Sequence, residues 1–205
     1  MDGELARSDG ARVDVVDIPA ELTEAPTASL APLDVSKLPG AVLVSRRAFE
    51  KGTDAVHAGC ARAPSDRWVD GIQGVLFERA TALALRAASV TPSALAPVES
   101  ESTDRVFRQR LEGRIDDRPL SVEHALFFVG ARRDVELCTV VAVGAPRPRL
   151  EVSGKLEAPP APGLLLRTLV GSAEHPVVAG TALAVLGALI VALVLWRRPR
   201  TRGCP

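Results

Sequence analysis

The sequence predicts an α+β protein: a small antiparallel sheet with one main amphipathic helix, followed by a single C-terminal transmembrane helix. Three patterns carry that expectation. Strand-length apolar runs are bounded by turn residues, one segment near residue 80 repeats its apolar positions with helical period, and Val177–Trp196 is a run of 20 uncharged residues.

Taken in order, residues 1–11 are polar and read as a disordered N-terminus, and residues 12–144 as the globular domain. Arg12–Ile18 is β-branched and strand-like, and Pro19 closes it. Prolines at 19, 26, 32 and 39 then interrupt any long element, so 19–39 reads as a Pro-rich arm over the domain. Ala41–Phe49 and Asp54–Cys60 read as a hairpin around Glu50–Thr53.

Asp70 with Gln73 three residues on has the spacing of a capping box. Ile72, Val75, Leu76, Ala80, Leu83 and Ala87 form the expected apolar stripe of a helix over about 70–88, and Ser89–Thr103 reads as a loop. Arg105–Ile115 alternates. Phe107, Leu111 and Ile115 point one way, and Arg108, Arg110, Glu112 and Arg114 the other, which marks a half-exposed strand. Leu120–Val129 and Val135–Val143 complete an antiparallel meander, the last apolar on both faces and therefore central. Residues 145–176 read as a Pro-rich linker and juxtamembrane segment, within which Arg149–Leu156 could add an edge strand.

The anchor follows from length. Twenty residues at about 1.5 Å each span roughly 30 Å, the hydrocarbon thickness of a bilayer. Pro176 suits the helix start, and Trp196 with Arg197, Arg198, Arg200 and Arg202 suits the membrane interface. Gly180, Ala184, Ala188 and Ala192 recur every four residues, a stripe that would let two such helices pack as a homodimer. Two rules conflict over orientation. The basic tail, 197–205, favours a cytoplasmic tail and an exoplasmic domain. The acidic Met1–Glu4 start, without an apolar export segment, favours a tail-anchored protein with a cytoplasmic domain. The sequence reading takes the second, in a cell inner membrane, and keeps the first as the alternative.

Composition narrows function. Four of the 25 basic residues lie in 197–205, leaving 21 against 25 acids, so the domain is mildly acidic and a poor nucleic-acid binder. Arginine outnumbers lysine 22 to 3, the bias of a GC-rich and hence bacterial genome. His57 and Cys60, tested as base and nucleophile, are three apart on a strand and face opposite ways. Cys60, Cys138, His57 and His124 lack metal-ligand spacing, although His124 and Cys138 would be diagonal neighbours on paired strands. No catalytic residue, metal or cofactor is therefore assigned. Cys60 and Cys138 could form a disulfide if the domain is exported. Arg105, Arg108, Arg110 and Arg114 form a face for an acidic partner or anionic lipid, with a solvated sheet face as the plainer reading.

A strand ending at Cys60, a helix after Trp68 and a meander over 105–143 resemble the small α+β sandwich of the Mog1/PsbP-like superfamily and of uncharacterised GC-rich bacterial proteins with that plan. The resemblance covers about residues 40–143 and implies a non-catalytic binding or assembly module. It transfers no functional residue. The resulting expectation is a non-enzymatic, single-pass protein that scaffolds a protein partner at the membrane lipid surface.

Overall fold

The computed structural model describes residues 3–26, 40–65, 72–87, 91, 94–144 and 147–160. The chain divides into two units, Met1–Pro160 and Ala161–Pro205, and the second lies wholly outside the described residues. The predicted span 177–196, its stripe Gly180, Ala184, Ala188 and Ala192, and the interface residues Trp196, Arg197, Arg198, Arg200 and Arg202 therefore all fall outside. Among the described residues no helix is long and apolar enough to cross a membrane.

The first unit is α+β and mostly antiparallel sheet. In chain order its strands are β1 (Gly3–Ser8), β2 (Ala11–Val16), β3 (Thr23–Glu24), β4 (Val42–Lys51) and β5 (Asp54–Ala63). Helix α1 (Ile72–Ala87) precedes β6 (Ala94–Ser102), β7 (Val106–Ile115), β8 (Arg118–Val129), β9 (Asp134–Val143) and β10 (Arg149–Gly154). Seven strands form one sheet in the order β3-β4-β5-β9-β8-β7-β6, and a second sheet has the order β1-β2-β10. Strand β9 is thus the central strand of the large sheet, as its two-faced apolarity requires.

Alternation along β8 and β9 divides the side chains between two layers. Phe127, Val129, Cys138, Val140 and Ala142 pack with Val13, Val15 and Leu150 of the small sheet. On the other face Leu120, Val122 and Val141 meet Ala84, and Leu126 and Phe128 meet Phe77, both from α1. One large sheet is covered on both sides, which explains why Val122–Val129 is buried without a break.

Tight turns fix the hairpins. Asp116 and Asp117 both have positive φ (47° and 63°), the paired left-handed geometry of a two-residue hairpin loop whose twist matches the strands. Asp9 and Gly10 repeat it between β1 and β2. The open edge at β6 carries Pro97, a register shift between Pro97 and Glu99, and the acids Glu99 and Glu101, features that discourage edge-to-edge pairing.

Several sequence expectations need correction. Residues 1–11 are not wholly frayed, since Gly3–Ser8 pairs with β2. The stretch read as a loop over 89–103 contains β6, whose polar and Pro-bearing pattern is that of an edge strand. The fold runs past 144, because β10 adds to β2 and Glu157 bridges Phe128. The helix also presents a different stripe. Phe77, Ala80 and Ala84 are buried, whereas Val75 is 49% exposed. Apolar residues lie on more than one side of α1, so period alone did not fix its rotation; small alanines and the Phe77 ring suit the sheet contact better. Phe77→Ala should therefore lose about 3–5 kcal/mol in urea unfolding, while Val75→Ala should stay within about 0.5 kcal/mol. Equal losses would mean that α1 packs by the other stripe.

Candidate functional site

Among the described residues, three clusters of chemistry-bearing side chains stand out, each at a junction between layers. The first lies under the β1–β2 hairpin. Cys60 and Cys138 stand directly opposite each other on β5 and β9, with Cα atoms 4.1 Å apart, and their sulfurs form a disulfide. Such an approach belongs to the closer, non-hydrogen-bonded kind of antiparallel pair. Both residues are buried, at 1% and 0% exposure. Two residues before Cys138, and so on the same face, Glu136 is also fully buried.

The Glu136 Oε2 atom accepts a hydrogen bond from Arg62 Nε (3.2 Å), and Arg62 Nη1 donates to Asp9 Oδ2 (3.0 Å). Burial raises the Glu136 pKa, while the nearby Ser8 hydroxyl and the Arg62 charge pull against that shift. The Ser8 hydroxyl approaches without hydrogen-bond geometry, so Ser8 Oγ and Glu136 Oε1 are both buried without a partner. Ligand atoms of Cys60, Glu136 and Cys138 lie within 4.8 Å of one another. With the two sulfurs bonded, the thiolates that a metal would need are absent in this state.

The second cluster joins the small sheet to β7 and β8. Arg110 and Glu123, at 8% and 6% exposure, form a buried ion pair through Arg110 Nη2 and Glu123 Oε2. Glu123 Oε1 accepts the backbone N–H of Leu150 (3.2 Å), and Arg108 Nη1 donates to the Leu150 carbonyl (2.8 Å). These two side chains thereby satisfy both backbone groups of a residue on the outer side of β10. A cleft of about 150 Å³ opens over them, lined also by Glu99, Glu101 and Arg149.

His124 makes the third cluster, between α1 and the large sheet. Its ring is fully buried and stacks on Phe77, with centroids 5.3 Å apart and 9° between planes. Thr81 Oγ1 donates to the Phe77 carbonyl (2.9 Å), so it accepts from His124 Nε2–H at 2.7 Å. Nδ1 is then the acceptor for the Thr139 hydroxyl at 2.8 Å. Both nitrogens are used by a neutral ring, and burial pushes its pKa down to about 4. Beside α1, Gln73, Phe77, Ser100, Ser102 and Phe107 line a shallow groove of about 280 Å³.

The sequence-predicted residues are redistributed by this geometry. His57 pairs in register with Val141 and approaches Glu50 Oε1 (3.5 Å), on the face opposite the disulfide. Burial lowers its pKa. His124 is opposite Thr139 and Ala125 opposite Cys138, so the diagonal His124–Cys138 arrangement is incorrect; the two side chains lie in different layers. His124 stands inside the sheet, because β8 lies between β9 and β7. The arginine face is not a single free surface either. Arg108 and Arg110 turn inward to Leu150 and Glu123, Arg114 binds the Asp117 carbonyl (2.7 Å), and Arg105 is exposed in the β6–β7 turn.

Glu123, Glu136, Arg62 and Thr81 carried no motif. A usable signal was present all the same: Glu136, Glu123 and His124 interrupt otherwise apolar strands, and a charge there requires a buried partner.

No family model matches the chain, and no curated protein matches it. Among solved structures it is similar to LpqN, involved in cell envelope biogenesis of Mycobacterium tuberculosis, at 11% identity and a TM-score of 0.37. That likeness covers 71% of this chain and 79% of the other, and is too distant to transfer a fold or a function.

The buried histidine sets a pH dependence. An unfolded chain takes up the His124 proton near pH 6.5, whereas the folded chain resists it until about pH 4. The contribution is complete above pH 6.5 and is lost as pH falls through that window, amounting to about 2–4 kcal/mol. Urea unfolding of His124→Gln should lack this increment of pH dependence. The same slope in both proteins would contradict the assignment.

Proposed function

We propose that residues 3–160 form a non-enzymatic partner-binding or sensing domain, held on the oxidising face of a cell membrane by the 177–196 span. The observation that carries this reading is the Cys60–Cys138 disulfide joining the two middle strands of the large sheet. Such bonds persist outside the reducing cytoplasm and are rare within it. Charge supports the same orientation. Arg197, Arg198, Arg200 and Arg202 would remain on the cytoplasmic side, where basic flanks are favoured.

This reverses the orientation preferred from the acidic N-terminus and keeps the single-pass anchor. The non-enzymatic part rests on how the described reactive groups are used. His124 is neutral with both nitrogens bonded, Cys60 and Cys138 are bonded to each other, and Glu123 holds β10. A base or nucleophile needs reach to a substrate, and none of these has it. Partner binding would then fall to the exposed surface, and self-association to the Gly180–Ala192 stripe.

Topology tests the reading directly. In spheroplasts expressing a Lys155→Cys chain, a membrane-impermeant maleimide should label position 155 and leave Cys204 untouched until the membrane is permeabilised. Labelling of Cys204 alone would put the domain in the cytoplasm and overturn the proposal.

A further inference from the structure

The Glu136 carboxyl has an arrangement that the ion pair with Arg62 leaves unexplained. One oxygen is held by Arg62, while Oε1 is buried and makes no hydrogen bond, although the equally unpartnered Ser8 hydroxyl lies near the carboxyl, and the carboxyl is within 4.8 Å of both sulfurs. A disulfide has no hydrogen to donate. A thiol does.

We propose that Cys60–Cys138 is a reducible thiol–disulfide switch, and that Glu136 favours its dithiol state by accepting a hydrogen bond from a cysteine S–H. The proposal deepens the sensing reading above, since it concerns the same bond and names its regulation. The reductant class is a dithiol. Both sulfurs are buried, so exchange passes through a locally opened state. There the reductant's first thiolate attacks one sulfur, expelling the other as a thiolate that takes up a proton. The reductant's second sulfur then displaces the protein thiol from the mixed disulfide and closes the reductant's own disulfide. Two electrons and two protons pass to the protein, giving Cys60 S–H and Cys138 S–H. The reductant is oxidised, and no other co-reactant is needed.

Energetically, an unmade hydrogen bond at a buried acceptor penalises the oxidised state, and an S–H donor relieves it on reduction. Arg62 and Asp9 keep their ion pair in both states, so their contribution largely cancels in the comparison. A buried acceptor left unsatisfied weighs enough to move the dithiol–disulfide equilibrium about tenfold. The alternative is that Glu136 serves only Arg62 and the Ser8 hydroxyl beside it, in which case the redox equilibrium does not depend on it.

The full chain in detergent is equilibrated with dithiothreitol at graded reduced-to-oxidised ratios, acid-quenched and alkylated, with Cys60 and Cys138 read by peptide mass. Half-reduction of Glu136→Gln should require a ratio about tenfold higher than wild type, because the Gln carbonyl takes the Arg62 bond and its amide faces the sulfurs. Glu136→Met should shift in the same direction. An unchanged or lower ratio in folded variants overturns the proposal. Wild type gives a reading that survives misfolding of either variant: the Glu136 ¹³Cδ resonance should move on reduction, and an unmoved resonance is equally contrary. Purified protein reports this whatever its compartment, whereas the labelling of position 155 reports topology whatever Glu136 does.

Discussion

The fold depends on holding β5 against β9. These strands are distant in sequence, with Cys60 and Cys138 separated by 78 residues, yet they form the middle of the large sheet. Every residue from Ala55 to Ala63 on β5 has a partner on β9. Closing so long a loop costs conformational entropy before any contact repays it. In the chain-entropy account a bond across a loop of this length contributes about 4 kcal/mol by restricting the unfolded state. It sits where two otherwise local units, the β4–β5 hairpin and the β6–β9 meander, must be joined.

The remaining architecture follows from covering that joined sheet on both faces. Burial on both sides leaves polar side chains of the central strands no route to water, so each must find a partner in the adjoining layer. Glu123 finds Arg110 and Leu150, His124 finds Thr81 and Thr139, and Glu136 finds Arg62. These contacts set layer register more than they add net stability, because buried ion pairs recover in attraction about what they lose in hydration. Glu136 departs from the pattern in keeping one oxygen unpartnered beside a bond that can be broken by reduction.

Much of the large sheet was legible in the sequence because its strands are long and bounded by turns. The alternation of Phe107, Leu111 and Ile115 against Arg108 and Arg110 correctly divides β7 between two layers. What could not be read was the destination of the second face. Nothing local reveals that β10 returns to pair with β2, and without the small sheet Arg108 and Arg110 look like solvent-facing cations. The same gap hid β1, β6 and the rotation of α1, each decided by tertiary partners rather than by local period. The disulfide was visible only as a conditional pairing, since spacing alone does not bring Cys60 opposite Cys138.

The central claim is that this bond exists in the native protein. Cells making the full chain should be quenched directly in acid to stop thiol exchange, then digested and mapped by mass spectrometry without reductant. The account predicts a linked peptide joining Cys60 to Cys138, resolved into two only after reduction. Recovery of both cysteines as separately alkylated free thiols would contradict it.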